Sequence, residues 1–192
     1  ISHSEDLTRL AAADLGVTVA DVENYHSDDS VRVLKAANAD LGVIYGTNII
    51  KESVFSIPKF GSINLHQGLA PFYRGGPPVF WELFNNEREV GLTAHFVAAK
   101  VDTGDIVLQA KVRLEYDDSF GLDFEAFIDN YRARLREDSA RLVANAVAAI
   151  ASGSNSRTPQ DTNLGTRYRL PTKRQKDELR RRLKLRLARG SE

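Results

Sequence analysis

Residues 39–66 read ADLGVIYGTNIIKESVFSIPKFGSINLH. The apolar run 39–46 is expected to be a buried strand entering a glycine-containing loop, and 61–66 a second strand. Between them, a short helix near residues 51–56 leads to Pro58. Strand, helix and strand at this spacing imply parallel strands covered by helices. Upstream, the alternation continues. Ser27, Asp28 and Asp29 offer N-cap chemistry for a helix through Val31, Val33, Leu34 and Ala37. Residues 17–22 form a short apolar run expected as a strand. A first helix, residues 4–14, puts Leu7, Leu10 and Ala11 on one face and stops at Gly16.

Downstream the pattern changes. Residues 67–78 form a loop rich in Gly and Pro, followed by a short helix carrying Phe80, Trp81 and Phe84, which are expected in the core. Residues 91–99 and 106–114 are strand-like and separated by a compact turn, so the sheet gains an antiparallel hairpin. A long helix over 123–151 carries Phe124, Phe127, Tyr131, Leu135, Leu142, Val143 and Val147 on its apolar side. Residues 152–156 read as a flexible joint, and the tail ends in a helix with Leu179, Leu183 and Leu187 at four-residue spacing among arginines. The fold class expected is α/β: a Rossmann-like, mostly parallel sheet with helices on both faces and an antiparallel section. Such sheets usually open on a strand. This chain opens on a helix and contains no Met, so it is read as lacking its first N-terminal strand.

Composition narrows the chemistry. The 192 residues, 42% hydrophobic and 27% charged, suit a globular domain, alone or with a short appendage. The absence of cysteine excludes disulfides, thiolate metal sites and a cysteine nucleophile. No apolar stretch approaches the roughly 18 residues of a membrane span, and residues 1–10 are not a signal peptide, so a cytoplasmic location is expected and no membrane partner. Charge is balanced overall, 26 basic against 26 acidic residues, but unevenly placed. Residues 166–192 hold eleven Lys or Arg and three acidic residues, leaving an acidic body and a basic tail.

Polar chemistry gathers in residues 61–106. Asn64 and His66 are two apart at a strand end and so point to one face. Asp102 and Asp105 flank Thr103 and Gly104 in a turn, which could be no more than a turn. An Asn, a His and an Asp brought together supply a neutral donor, a titratable acid/base and an anionic partner.

The order INLHQGLAPFYRGGPPVFWEL (63–83), then VGLTAHFVAAKVDTGDIVLQ (90–109), resembles the folate-dependent formyltransferases: methionyl-tRNA formyltransferase, glycinamide ribonucleotide transformylase and the sugar N-formyltransferases. The resemblance spans about residues 40–115. It implies that Asn64 stabilises the oxyanion, that His66 assists proton movement, and that Asp102 tunes the histidine and helps take the amine's proton. It implies formyl-tetrahydrofolate as donor and no metal. The pterin is expected between the loop of Gly46, Thr47, Asn48 and Ile49 and the turn of Val101, Thr103 and Asp105. His95 fits the family's strand histidine and is expected to be structural.

The acceptor is less determined. Tyr73 and Arg74, in the Tyr-Arg-Gly form of the loop, are more similar to the sugar enzymes, which implies a small-molecule amine, that of a nucleotide-linked sugar. Arg74 is expected either on a substrate phosphate or on backbone carbonyls. Residues 1–152 are expected as the catalytic domain and 153–192 as a basic extension, for which RNA, a nucleotide, or docking of its leucines on the domain are all open, as is a homodimer. A formyl-tetrahydrofolate hydrolase and a non-catalytic folate- or partner-binding fragment are the competing readings. One departure stands out: Gly68 replaces the family's serine.

Overall fold

The computed structural model describes residues 3–114 and 124–190. Helix α1 (His3–Asp14) is followed by α2 (Asp28–Ala36), whose cap is the expected Ser27 side chain accepting the N–H of Ser30. Strand β1 (Gly42–Ile44), helix α3 (Glu52–Phe55) and strand β2 (Ser62–His66) form the crossover that the 39–66 stretch implies, and β1 and β2 pair in parallel. Strand β3 (Tyr73–Gly75) and helix α4 (Phe80–Phe84) lead to the hairpin of β4 (Glu89–Phe96) and β5 (Ile106–Arg113). Then come α5 (Phe124–Ala151), unbroken, β6 (Thr166–Tyr168) and α6 (Lys173–Gly190).

The main sheet has the order β1-β2-β4-β5. Parallel pairing joins β1 to β2, and the antiparallel section comprises β2–β4 and β4–β5. The α/β alternation and the hairpin are thus both present. One expected strand is not: residues 17–22 are coil, with Val17, Val19 and Val22 exposed. An apolar run becomes a strand only where a neighbouring edge takes its backbone bonds. β1 is likewise shorter than the run 39–46 and half exposed rather than buried, because it is the edge of this sheet.

β4 supplies the centre of the core, with Val90, Leu92 and Ala94 fully buried against Leu135 and Ala146 of α5. Leu179 and Leu183 of α6 enter the same cluster, so the basic tail docks through its leucines. A second sheet binds the tail further: β3 and β6 pair in parallel, Gly75 opposite Tyr168. A Cβ on Gly75 would meet the Tyr168 carbonyl at 2.5 Å, which requires glycine there. The Trp81 indole N–H donates to Arg169 O at 2.9 Å, and Arg182 donates to Phe84 O at 3.0 Å. The side chains of Leu7, Phe124, Phe127 and Leu187 lie outside the described residues. No helix among the described residues is long and apolar enough to cross a membrane.

Candidate active site

Strand geometry alone assembles most of the polar cluster. Asn64 and His66 share one face of β2, and His95 is the cross-strand partner of Asn64, so its side chain emerges on that face too. Asp102 is brought over the face by the 97–105 turn. Gly104 lets this turn close, since a Cβ there would lie 1.8 Å from Phe96 O. Asp102 itself has φ +53°, in the left-handed region that Asp tolerates better than most residues.

The contacts are dense. Asp102 Oδ2 accepts the Gly75 N–H at 2.8 Å and lies 3.5 Å from His66 Nδ1. Asp102 Oδ1 lies 3.4 Å from His95 Nε2 and 3.4 Å from Asn64 Nδ2. Asn64 Nδ2 is also 3.3 Å from His95 Nε2. These amide distances are at the long limit of hydrogen bonding, so a closer acceptor in the cavity can compete for the Asn64 N–H. His66 Nε2 donates to Tyr73 O at 2.6 Å. A carbonyl only accepts, so Nε2 carries a proton and Nδ1 is the basic nitrogen of the neutral ring.

Burial sets the charge states. Desolvation pushes His66 below the ordinary histidine value, outweighing the nearby Asp102 charge and the bond to Tyr73 O. For Asp102, burial pulls upward, but the hydrogen bond with His95, the His66 charge and the Gly75 N–H together hold the carboxyl below the usual range. A neutral imidazole beside a carboxylate is the outcome.

These groups form the floor of a cavity of about 490 Å³. One wall is the loop after β1, with Gly46, Thr47, Asn48 and Ile49; the opposite wall includes Val101. Of the expected folate-binding residues, Thr103 and Asp105 are not on the lining: the Thr103 hydroxyl donates to Lys100 O, and Asp105 O accepts the Phe96 N–H. Tyr73 and Arg74 are not on the lining either. Arg74 is buried and donates to the carbonyls of Pro71 (3.1 Å), Thr162 (2.9 Å) and Gly165 (3.5 Å), the structural arm of its two expectations. The Tyr73 hydroxyl donates to Glu87 at 2.8 Å, and its ring stacks on Tyr168.

Gly68, where the resemblance expects serine, faces no vacancy. A Cβ there would lie 2.3 Å from His66 Nε2 and 2.5 Å from Tyr73 O, so the histidine–carbonyl bond occupies that space. Sequence reading placed His95 as structural; the geometry puts it against both Asn64 and Asp102. Gln67 and Arg132 also line the cavity without having been singled out. For Gln67 the clue was adjacency to His66. For Arg132, in the middle of a long helix, there was none. Among the described residues no group of His, Cys, Asp or Glu is placed to hold a metal ion.

Comparison with known proteins points the same way. The formyl transferase family model matches residues 3–129. The methionyl-tRNA formyltransferase of Azobacteroides pseudotrichonymphae is 35% identical over 138 residues, covering 71% of this chain and 40% of that protein. That of Macrococcus caseolyticus is 30% identical, covering 82% and 49%. This chain thus spans less than half the length of these curated relatives. Among solved structures, a formyltransferase from Anoxybacillus kamchatkensis, in complex with UDP-4,6-dideoxy-4-formamido-L-AltNAc and tetrahydrofolate, superposes with a TM-score of 0.62 at 23% identity, covering 86% of this chain and 81% of that one. At that identity the likeness is one of fold.

Proposed function

The chain belongs to the formyl transferase family, and on that premise we propose that it transfers a formyl group from formyl-tetrahydrofolate to a primary amine, that of a nucleotide-linked amino sugar. The observation that carries the reading is the placement of Asn64, His66 and His95 on one sheet face, with Asp102 brought over it by the turn, all lining a single cavity. The cavity fits the donor in kind: Ile49 and Val101 supply apolar walls, and the loop of Gly46, Thr47 and Asn48 supplies backbone donors and acceptors for a pterin.

In this mechanism the amine nitrogen attacks the formyl carbon and the carbonyl oxygen becomes an oxyanion. The Asn64 amide, weakly held in the resting site, donates to that oxygen. Asp102, kept anionic, stabilises the positive charge developing on the amine. The amine's proton passes by way of Asp102 to His66 Nδ1, which burial keeps unprotonated and ready to receive it. The carbon bond to the folate nitrogen then breaks, that nitrogen takes the proton, and the products are a formamide and tetrahydrofolate. No metal and no covalent enzyme intermediate enter.

The sugar-nucleotide acceptor is supported by the Anoxybacillus enzyme, whose complex contains a UDP-linked formamido sugar. An RNA-borne amine is the second reading, favoured by the names of the curated relatives and by the cations of residues 166–192. The test is to incubate the protein with formyl-tetrahydrofolate and each amine class and to weigh the products. A sugar nucleotide heavier by one formyl group is expected. Formylation only of an aminoacyl-RNA, falling steeply with salt, would transfer the assignment to the second reading. Formate release with no acceptor would make the protein a hydrolase.

A further inference from the structure

The Arg132 guanidinium stands where the reaction cavity meets a second one. It lines the 490 Å³ cavity together with Asn64, His66 and Pro78. It also lines a neighbouring hollow of about 350 Å³ with Pro77, Phe80, Ile128, Leu170 and Lys176. Arg132 is the residue the two share, with Pro78 lining the first and Pro77 the second.

This arginine is incompletely used. Its Nη2 donates to Pro78 O and its Nη1 to Asp129, each at 3.4 Å, and Asp129 is largely solvent-exposed. Its Nε is buried and has no hydrogen-bond partner among the described residues. The two Nη groups, each held only at 3.4 Å on a side chain one third exposed, are the ones a closer oxygen can engage, and a guanidinium binds phosphate oxygens through paired N–H groups. Arg74 shows the contrasting case, since three backbone carbonyls already engage it.

Building on the formyl-transfer reading, we propose that Arg132 is the residue that recognises the acceptor's anionic group. The amine enters over Asn64 and Asp102, a phosphate of the same molecule rests on the Arg132 guanidinium, and the remainder extends into the hollow beside Phe80 and Leu170. The site thereby selects phosphate-bearing amines over neutral ones. In this proposal Arg132 is a binding residue and takes no part in the bond-making steps.

Calorimetric titration of the full chain with inorganic pyrophosphate and with UDP tests this, with tetrahydrofolate titrated alongside. Wild type is expected to bind both anions. Arg132→Ala is expected to weaken them about 10- to 30-fold and Arg132→Lys less, because an ammonium keeps the charge but not the fork. Tetrahydrofolate affinity should stay within about twofold in both variants. Wild type that ignores both anions, or Arg132→Ala that binds them as wild type does, would overturn the proposal. The lysine variant keeps the test decisive if the alanine variant misfolds. Anion binding without tetrahydrofolate binding would leave this site standing and remove the folate reading instead.

Discussion

The loop after β2 and the middle of α5 each carry an arginine close to His66, yet the two regions use that side chain in opposite ways. Arg74 is buried and braces the polypeptide, tying the loop to the carbonyls of Thr162 and Gly165. Arg132 is a third exposed, loosely paired on one side and, among the described residues, without a partner at Nε. The residue type is the same and the charge is the same. What separates a brace from a binding group is the supply of acceptors: saturated donors hold the fold, and unsaturated donors are free for a ligand. The same division runs through the neighbourhood. Tyr73, Glu82 and Trp81 belong to the braced side, and Asn64, His66, His95 and Asp102, which line the cavity, to the side proposed to react.

The sharpest way to test that division is to strike the reactive side first. Asn64→Ala should lower kcat for formyl transfer by about 10²- to 10³-fold, because it removes the proposed oxyanion donor. Its thermal midpoint should move little, the amide's bonds being long. A variant with unimpaired turnover would place Asn64 among the structural residues and break the comparison.

The opposite profile is expected of the brace. Arg74→Ala leaves half-buried carbonyls without their charged donor and should destabilise the protein by about 2–4 kcal/mol. Denaturant unfolding measures this directly. Turnover per folded molecule, at temperatures where the variant remains folded, should be nearly unchanged. A stable but inactive Arg74→Ala would instead return that residue to the substrate.

Glu82 gives a smaller effect with a pH signature. It is buried and accepts the backbone N–H groups of Val79 and of its own residue, half of a capping box at the start of α4. Burial raises its carboxyl to about 7. A folded-state value above the unfolded one means that wild type is favoured below about 4.5 and loses that advantage as pH rises through about 7. Glu82→Gln keeps an acceptor without a charge. Its stability relative to wild type should therefore increase by about 2–3 kcal/mol between pH 4.5 and 8, most of it gained by pH 7. A pH-independent difference would mean that Glu82 is ionised throughout and that water reaches it.

Much of this could be read directly from residue order. The crossover 39–66, the Ser27 cap, the hairpin (expected over 91–99 and 106–114, found as β4 and β5) and the long α5 follow from local periodicity and capping, which act over a few residues. Asn64 and His66 could be paired because strand geometry puts alternate side chains on one face. β3 and β6 could not be seen: each has three residues, and they find one another across some ninety positions. Residues 17–22 carry strand composition, but composition supplies no partner edge. Thr103 and Asp105 were expected in the folate cleft, yet neither lines the cavity, the Thr103 hydroxyl turning back to Lys100 O.

The sequence by itself excluded cysteine chemistry and, through alternation along a strand, put Asn64 and His66 on one face; the resemblance carried by residues 63–83 and 90–109 is what implied formyl transfer. Only the tertiary structure decided how each group is used. It joined His95 to the cluster, held His66 Nε2 on a carbonyl so that Nδ1 is the ring nitrogen left without a proton, engaged Arg74 with three backbone carbonyls and left Arg132 Nε without a partner among the described residues. The reason is physical. Periodicity is a property of neighbours along the chain, whereas the protonation and availability of a polar group depend on burial and on partners that only folding brings within reach.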